Sequence, residues 1–442
     1  MRKLTVAAVL GALVALVVLA TVPLHGSRAR ETPRVVAAGR GTGPLRAGGA
    51  TVPLDVPPGS PIGGYPRWDY ASRGIRDIPE ARALVLSVPG FTAAIVSVDV
   101  LLVPAALRAR VEKRLTALVP EVLLVAATHT HAGPGGHWED ALGERFGTGP
   151  FDPRVLDAMA ARIAQAVEAA AAARAPATLA VARSRRADLV VNRDEGDPDG
   201  RFLVIRAERA PGDVVGQVVV FPSHATVLGS RNRLISGDWP AALARDLPGT
   251  TVVLQGAEGD QTWHLPPPPP SAPLPLPEAT PEDFAREVAS EVRRLPFPPG
   301  DPDVTLASAT AWVTLPDPSF GAVPAFLDRL VSNLLWNWLP PAVSVTALRL
   351  GPALLLAVPA EPGEAVGRRW RELLGPEAEV VSLANDYVGY VDTPERVRAR
   401  TGEAKRTYLG PDLAQVLGDG LIVSARAAEG PSLPERSRER AP

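Results

Sequence analysis

Short apolar strands that alternate with helical segments are the feature that most constrains the fold of this chain. ARALVLSV and EVLLVAA are short, apolar and followed by turn residues, a pattern typical of buried strands. AALRARVEKRLTALV and PRVLDAMAARIAQAVEAAAAARA instead carry apolar residues at helical spacing. Mixed strands with interspersed helices favour an α/β architecture over a helical bundle or an all-β sandwich. We therefore predict layered mixed β-sheets flanked by helices, with FLVIRAER and VVGQVVVFPS forming a hairpin.

The length of 442 residues exceeds that of a typical domain, but α/β proteins often reach it as one core with long loops. Hydrophobic residues make up 46% of the chain and charged residues 21%, so a large interior can be buried. We expect a single domain over residues 49–427. Within it, a proline-rich stretch at 265–280 predicts a surface loop, and residues 428–442 predict a disordered tail.

The N-terminus has the pattern of an export signal. Arg2 and Lys3 precede an apolar run of residues 4–24. The run is close to the ~20 residues that span a bilayer, so residues 1–24 are either a signal peptide or an N-terminal membrane anchor. Residues 25–48 are rich in Gly, Arg and Pro and predict a flexible linker. We expect the domain to lie outside the cytoplasm, whether periplasmic, secreted or membrane-anchored.

Charge and cysteine content exclude several classes of function. The formal net charge is −2, and no basic stripe with interleaved aromatic residues is present, so we expect no nucleic-acid partner. The chain has no cysteine, which excludes disulfides, thiolate catalysis and cysteine-ligated zinc. Any metal would have to be bound by His, Asp, Glu or Tyr side chains.

Polar residues follow several of the predicted strands. These residues are His129 and His131, His224, Asp260 to Thr262, Glu361, and Asn385 to Tyr390. Open α/β sheets bind ligands at the carboxyl ends of their strands, so we expect these side chains to form a site. If the extended backbone continues through THTH, His129 and His131 face the same way. The spacing alone also allows two histidines that merely hydrogen-bond to loop backbone.

Imidazoles combined with a carboxylate can form an open zinc site. Zinc lowers the pKa of bound water to about 7 and polarises a carbonyl, which suits amide or ester hydrolysis. The metallo-β-lactamase pattern does not fit, because Ala132, Gly133 and Pro134 follow the histidine pair. The amidohydrolase barrel needs further histidines and a lysine on later strands, and too few of the six histidines remain for it. AGPGGHW lacks the Lys-Ser/Thr of a phosphate-binding loop.

Four blocks of the chain resemble the neutral/alkaline non-lysosomal ceramidases, which are secreted or membrane-attached zinc amidases. The blocks are THTHAGPGG, FPSHATVLGSRNRLISGDWPAALA, AVPAEPGEAVGRRWR and LANDYVGYVDTPERVRARTGEAKRTYLGP. They keep the family's order, and the resemblance runs from about Ala47 to Val423. It implies the catalytic N-terminal domain of that family, without the C-terminal β-sandwich domain of many relatives.

The resemblance also implies roles for individual residues. The zinc ligands would be His129, His224, Glu361 and Tyr390. His131 would face the reacting carbonyl as an acid/base or oxyanion partner, and Arg193 would bind the polar head of the substrate. Gly64 would let the backbone approach the substrate, although the sequence alone slightly favours a plain turn glycine. Taken alone, Tyr390 would be packing and Arg193 a surface turn residue.

The chain departs from the family pattern at two places near the expected site. Thr262 stands where the family has a serine, and Trp263 and His264 replace a Pro-Asn pair. Threonine keeps the hydroxyl but adds a methyl group that narrows its approach. Whether this hydroxyl attacks the substrate or orients it stays open. Gly402 aligns with a family tyrosine, so the resemblance implies the loss of one hydrogen-bond donor.

The expected function is that of an exported zinc-dependent amide hydrolase. It would act on ceramide-like lipids and release a fatty acid and a sphingoid base. Two alternatives stay open: a zinc hydrolase of another amide or ester, and an inactive homologue that binds a lipid or envelope ligand. The expected partners are the lipid amide substrate and a membrane contacted through the N-terminal segment, and the oligomeric state is left open.

Four other features of the sequence have structural explanations beside the functional ones. Asp238 would cap a helix, and His137 would be a loop histidine. Asp260 could equally be a turn residue or part of the site. VPAFLDRLVSNLLWNWLPP predicts an apolar helix that packs in the core, or less plainly a wall for an acyl chain or a membrane-contacting edge.

Overall fold

Strands and helices alternate along the computed structural model, which describes residues 25–140, 143–266, 278–320, 327–336 and 338–430. The strands are β1 Arg34–Pro44, β2 Arg46–Pro53, β3 Glu80–Val88, β4 Phe91–Val98, β5 Val122–Ala127, β6 Ala175–Pro176, β7 Thr178–Arg185, β8 Val190–Asn192, β9 Arg201–Glu208, β10 Val214–Phe221, β11 Thr250–Gln255, β12 Gln261–Trp263, β13 Asp303–Thr314, β14 Ala342–Leu350, β15 Ala353–Ala357, β16 Glu361–Pro362, β17 Ala378–Val381 and β18 Tyr390–Val391. The α-helices are α1 Ala105–Arg114, α2 Pro153–Ala172, α3 Asp238–Asp246, α4 Pro281–Arg294, α5 Asp328–Leu335, α6 Glu364–Leu374, α7 Pro394–Ala399 and α8 Leu413–Glu429.

Three mixed sheets organise the molecule. Their strand orders are β5-β4-β3-β2-β6 in sheet I, β11-β10-β9-β7 in sheet II and β1-β13-β14-β15-β17 in sheet III. Neighbouring strands are antiparallel except for one parallel pair at an edge of each sheet: β4 with β5, β10 with β11, and β15 with β17. The predicted α/β class with mixed sheets is confirmed, and β9 and β10 form the predicted antiparallel hairpin.

The three sheets share one central core. Leu86 and Ile95 of sheet I, Val218 of sheet II, and Leu306 and Leu355 of sheet III belong to the same buried cluster. The opposite face of each sheet packs against helices: α1 and α2 on sheet I, α3 and α4 on sheet II, and α6 and α8 on sheet III. Strands covered on both faces need apolar residues at successive positions, which explains runs such as VLLVAA.

Local sequence fixes where the longer helices begin. Helix α2 follows Asp152, whose carboxylate accepts a hydrogen bond from the Arg154 backbone N–H at 2.9 Å. Helix α4 starts with a capping box between Thr280 and Asp283, with Pro281 in its first turn. Its apolar stripe, which includes Phe284, packs against the outer face of sheet II.

The flexible linker predicted over residues 25–48 is wrong, because β1 and the start of β2 lie within it. Strand β1 pairs with β13 from Arg34 opposite Trp312 to Pro44 opposite Asp303. Its glycines permit close packing: a Cβ at Gly41 would lie 2.6 Å from the Pro89 carbonyl oxygen. Glycine content there reflects tight contact between strands, and the domain begins before the predicted boundary at residue 49.

Other predicted boundaries shift less. Helix α8 continues to Glu429, beyond the predicted start of the tail at residue 428. The segment predicted as an apolar helix contains α5, in which Leu335 is buried while Leu334 is 53% exposed, and Trp338 just after it is 49% exposed. The prediction that this helix packs in the core therefore holds for only part of its apolar side chains. Residues 1–24, 267–277 and 431–442 of the predicted leader, loop and tail lie outside the described residues.

Within the described residues, no helix combines the length and the apolar character that crossing a membrane requires.

Candidate metal centre

The loops that follow the parallel edge strands of the three sheets meet at one place. The Asn385 side chain, in the loop after β17, accepts a hydrogen bond from the Val125 N–H of β5 at 2.9 Å. The Gln255 side-chain amide at the end of β11 donates to the Thr128 carbonyl at 2.9 Å, and the Gln255 backbone carbonyl accepts from the Ser382 N–H at 3.0 Å. These bonds fix the loops of sheets I, II and III against one another.

His129 and His131 meet because the backbone turns after β5. The strand ends at Ala127, and His129 has a φ of 62°, so the extended backbone on which the same-face prediction depended does not continue. The two Nε2 atoms nevertheless lie 3.3 Å apart, with the rings perpendicular. His129 Nδ1 lies 2.8 Å from the Leu101 carbonyl oxygen, which assigns the proton to Nδ1 and leaves the Nε2 lone pair facing the centre.

His224 is held in the same way from sheet II. It follows β10 and is fully buried, with Nδ1 at 3.0 Å from the carbonyl oxygens of both Glu258 and Gln261. Its proton therefore lies on Nδ1, and its Nε2 faces the centre. A backbone carbonyl that accepts the distal ring N–H is the usual arrangement around metal-ligating histidines.

Glu361 brings a carboxylate from sheet III to these nitrogens. Its Oε2 lies 3.2 Å from His129 Nε2 and 3.3 Å from His224 Nε2. The Tyr387 hydroxyl donates to its Oε1 at 2.6 Å, which orients the carboxylate. The Tyr390 hydroxyl lies 3.2 Å from His224 Nε2. The structure thus brings together all four residues that the resemblance implied as zinc ligands.

The electrostatics of this cluster call for a cation. Burial, and then Arg193, lower the pKa of His224 to about 3, so its ring is neutral at neutral pH. Burial would raise the pKa of Glu361, but the adjacent His129 and His224 outweigh burial and hold it well below its usual range. Glu361 is therefore held as a carboxylate, and among the described residues no hydrogen bond reaches its Oε2.

The donor spacing also fits zinc. Two donors at 2.0–2.2 Å from a tetrahedral zinc lie about 3.3 Å from each other. The measured separations around Glu361 Oε2 and His224 Nε2 are 3.2–3.3 Å. The donor set of two imidazoles, one carboxylate and one phenol contains only ligand types that zinc accepts.

His131 and Gly64 form one wall of the centre. The His131 ring lies 4.9 Å from the Tyr65 ring, and its Nδ1 has no hydrogen-bond partner among the described residues. Burial holds the pKa of His131 well below its usual value. Gly64 has a φ of 113°, and a Cβ there would lie 2.6 Å from His131 Cβ. Glycine is needed at this position for contact with His131, and a contact with substrate stays a prediction.

Arg193 lies beside the metal ligands and is not a surface turn residue. Its Nη2 donates to the Gly259 carbonyl at 2.7 Å, and lies 3.3 Å from His224 Nε2 and 3.4 Å from a Glu403 carboxylate oxygen. Burial lowers the pKa of Arg193, but Tyr390 and then Glu403 outweigh it and raise that pKa. The guanidinium is therefore a fixed positive charge at the rim of the centre.

The two departures from the family pattern have structural counterparts. Thr262 lies in β12, pairs with His224 in an isolated bridge, and has its hydroxyl 3.3 Å from that of Thr226. The half-buried Thr262 therefore lies next to His224, a candidate metal ligand. Gly402 has a φ of 52°, and a Cβ there would overlap the Asp194 carboxylate. No larger side chain fits Gly402 without moving Asp194.

Sequence reasoning missed Glu258 and gave no individual role to Tyr387, which lies within the strand-end stretch Asn385 to Tyr390. Glu258 is fully buried, and donor atoms of His129, Glu258 and Glu361 all lie within 4.8 Å of one another. Burial, and then the nearby Glu361, raise the pKa of Glu258 well above its usual value. Both residues follow strand ends, in GAEGD and ANDYVGY, so the strand-end pattern could have identified them.

The remaining candidates have structural roles. The Asp238 carboxylate accepts from the Trp239 and Leu228 N–H groups, so it anchors a loop at the start of α3 in place of a simple cap. Asp260 accepts from the Asn192 side chain and from the Glu364 N–H at the start of α6. His137, predicted to be a loop histidine, is fully buried, with Nε2 2.9 Å from the Leu102 carbonyl oxygen.

Known proteins are similar to this chain in sequence and in fold. Residues 58–245 match the family model described as neutral/alkaline non-lysosomal ceramidase, N-terminal. The chain is 24% identical to the neutral ceramidase of Pseudomonas aeruginosa over an alignment of length 449. The alignment covers 79% of this chain and 66% of that protein. A neutral ceramidase of Mycobacterium tuberculosis is 33% identical over 130 residues, or 26% of this chain and 20% of that protein. The chain thus spans slightly less than two thirds of the Pseudomonas protein.

Two solved structures have the same fold. The crystal structure of the Pseudomonas aeruginosa neutral ceramidase matches with a TM-score of 0.73 at 20% identity, covering 87% of this chain and 74% of that one. A structure described as ceramidase complexed with C2 matches with a TM-score of 0.72 at 20% identity, covering 90% and 77%. Together with the family match, these confirm the resemblance stated from the sequence.

Proposed function

We propose that this chain, a relative of the neutral/alkaline non-lysosomal ceramidases, hydrolyses the N-acyl amide bond of a ceramide-like lipid with a zinc ion. The observation that supports this proposal is the environment of Glu361 Oε2. Among the described residues this atom has no hydrogen-bond partner, and it lies 3.2–3.3 Å from the Nε2 atoms of His129 and His224. The products would be a fatty acid and a sphingoid base.

The residues that would hold zinc are His129, His224, Glu361 and Tyr390, because their donor atoms face the same centre. The other polar atoms of the first three, His129 Nδ1, His224 Nδ1 and Glu361 Oε1, already have hydrogen-bond partners. When bound there, zinc supplies a Lewis acid that polarises a carbonyl and lowers the pKa of water. Only one residue of this set has a negative charge at neutral pH without metal. A bound divalent cation would place positive charge next to the reacting carbonyl, which favours the oxyanion that amide hydrolysis develops.

The chain's own side chains account for proton transfer and orientation. The His131 imidazole lies beside the proposed ligands, with its Nε2 3.3 Å from His129 Nε2, so it is placed to accept a proton from the attacking water or hydroxyl group. The same imidazole returns that proton to the amine nitrogen as the carbonyl carbon–nitrogen bond breaks. Arg193 supplies a fixed positive charge for the polar head of the lipid. Thr262 offers a hydroxyl that either orients the substrate while water attacks, or attacks the carbonyl itself to form an ester that water then hydrolyses to the fatty acid.

The experiment that tests this function measures release of fatty acid from a fluorescent N-acyl sphingosine by the purified zinc-loaded protein. Turnover should disappear with a chelator and return when zinc is added. His129→Ala should abolish turnover, whereas His264→Ala should retain it, because His264 is exposed and contributes only its backbone N–H to a described hydrogen bond. Turnover that persists in His129→Ala would exclude this centre as the site of the reaction.

A different amide or ester substrate is the second candidate, and Gly402 is the observation that favours it. The Glu403 N–H donates to the Asp194 carboxylate at 2.8 Å, and Gly402 packs directly on that carboxylate. The wall where the family has a tyrosine is therefore built from Asp194. Hydrolysis of short N-acyl amides or esters without hydrolysis of the ceramide probe would support this candidate.

Export and membrane attachment are also part of the proposal. The apolar run of residues 4–24 immediately precedes His25, whose ring stacks on Trp336 at 5.0 Å between centroids. Arg28 donates to the carbonyls of Leu339 and Pro340 at 2.9 and 3.0 Å. The chain thus enters the domain beside the exposed Trp338, an orientation that suits a nearby lipid surface.

Vesicle flotation tests this attachment. The full chain should float with phosphatidylcholine vesicles, and a chain that starts at His25 should float less. Equal flotation of the two forms would argue against an N-terminal anchor.

A further inference from the structure

We propose that Glu258 is an additional ligand of the same cation, so that the metal is held by two histidines, two glutamates and a tyrosine. This inference rests on the proposed metal-dependent function. It assigns to Glu258 a role that neither the sequence pattern nor the resemblance indicated.

The fold places Glu258 at the centre with little freedom. It lies three residues after β11, and its own carbonyl oxygen accepts hydrogen bonds from the Gln261 N–H at 2.7 Å and from His224 Nδ1 at 3.0 Å. The backbone of Glu258 is thus part of the support for the His224 ring. Its side chain starts next to a ligand and points into the same buried space as Glu361.

The carboxylate of Glu258 lacks the partners that burial demands. The side chain has no exposed surface, and neither of its oxygens has a hydrogen-bond partner among the described residues. The Ser382 hydroxyl lies beside it but donates to the Gly256 carbonyl. The nearby Arg193 guanidinium donates to Gly259 instead. Burying a polar group without a hydrogen-bond partner costs free energy, and direct coordination of a cation would give the Glu258 oxygens a partner.

A divalent cation answers this requirement in both geometry and charge. Donor atoms of His129, Glu258 and Glu361 lie within 4.8 Å of one another. Opposite ligands of one six-coordinate cation lie about 4.2 Å apart when each bond is 2.1 Å, so the cation can reach all three after a small inward movement. The charges of Glu258 and Glu361 together balance one divalent ion.

The extra carboxylate changes which metals the centre should accept. With Glu258, three of five donors are oxygen atoms. Carboxylate-rich sets suit Mn²⁺, whereas imidazole suits Zn²⁺, Cu²⁺ and Ni²⁺. The wild-type centre should therefore bind Mn²⁺ as well as Zn²⁺, and removal of the Glu258 charge should weaken Mn²⁺ binding more than Zn²⁺ binding.

Metal titrations of the full chain test the role of Glu258 without any activity measurement. Apoprotein is titrated with Zn²⁺ and Mn²⁺ against a competing chelator, and the Co²⁺ form is examined by visible absorption. We expect Glu258→Gln to lose at least tenfold in Mn²⁺ affinity. Its Co²⁺ spectrum should shift toward the stronger absorption of a four-coordinate ion. The matched control is Asp199→Asn, since Asp199 is another buried carboxylate but contacts Arg371.

Glu258→Asp provides a second variant that keeps the charge but withdraws it by one methylene, in case the glutamine variant fails to fold. It should also lose Mn²⁺ affinity. Wild-type affinities and an unchanged Co²⁺ spectrum in the folded variants would overturn the proposal. If metal binding depends on Glu258 but the protein does not hydrolyse ceramide, the role of Glu258 as a ligand is supported. Only the proposed reaction is then contradicted.

Discussion

At the residue scale, the positions of the His129 and His131 imidazoles depend on the backbone conformation of His129. The two-residue spacing predicted neighbouring imidazoles through strand alternation, and the imidazoles are neighbours. The cause is different, because a φ of 62° at His129 turns the chain before the second histidine. Positive φ is uncommon for a residue with a side chain and often occurs at functional sites. No sequence pattern reveals such an angle in advance.

Tyr387→Phe tests how strongly the second oxygen of Glu361 must be held. The Tyr387 hydroxyl donates to Glu361 Oε1 at 2.6 Å, and loss of that bond frees the carboxylate to rotate away from the histidines. Outer partners of metal ligands typically contribute about 10- to 100-fold in affinity. We therefore expect zinc affinity to fall by that factor in a chelator competition assay.

Tyr408→Phe is the control for this change, because the Tyr408 ring stacks on Phe320 at 5.5 Å and that contact survives loss of the hydroxyl. Its zinc affinity should match wild type. Equal affinities in all three proteins would show that Glu361 needs no help from Tyr387.

His137 should make the protein sensitive to acid. Burial lowers the pKa of His137 from 6.5 to about 4. The folded state thus favours the neutral ring, so the stabilisation is complete above pH 6.5 and is lost as pH falls from 6.5 towards 4. The linkage predicts a loss of about 2 kcal/mol between pH 8 and pH 5.

The measurement is urea denaturation of wild type and His137→Gln at both pH values. The glutamine amide can still donate to the Leu102 carbonyl but does not titrate in this range. The pH-dependent loss should therefore be smaller in the variant by that amount. An identical pH dependence in the two proteins would contradict the prediction.

At the scale of elements, helices and strands with a clear hydrophobic pattern were predicted correctly, and a strand without such a pattern was missed. The apolar run of β5 and the amphipathic pattern of α2 were predicted correctly. Strand β1 was missed, because most of its side chains are exposed and its glycines imitate a linker. Its pairing with β13, which is distant in the chain, stabilises it. Long-range pairing of this kind leaves little trace in the local sequence.

Two glycines within the predicted linker provide a test of this difference. Gly41 lies in β1, where a Cβ would come within 2.6 Å of the Pro89 carbonyl oxygen and 2.8 Å of Phe91 Cβ. Gly41→Ala should lower the free energy of unfolding by about 1–3 kcal/mol, as overpacking does. Gly26 has no atom within 4 Å of an added Cβ, so Gly26→Ala should have little effect. Chemical denaturation measures both, and equal values would favour a flexible linker after all.

At the scale of the whole molecule, the candidate site exists only because three sheets converge. His129 comes from sheet I, His224 from sheet II and Glu361 from sheet III, each after a parallel edge pair. The sequence showed that polar residues follow strands. It could not show which strand ends meet, because that depends on strand order within each sheet and on the shared central core. The family resemblance supplied that information for the ligands and not for Glu258.

A cation held by all three sheets should stabilise the entire domain and not merely one loop. Metal at 100 times its dissociation constant stabilises a folded protein by about 2.7 kcal/mol. Chelation should therefore lower the melting temperature of wild type. Calorimetry should record one transition before and after chelation, because the ligands lie on elements that share one core. His129→Ala should melt near the temperature of chelated wild type and should not respond to the chelator. A chelator effect confined to one of two separate transitions would mean that the sheets unfold independently and that the cation does not join them.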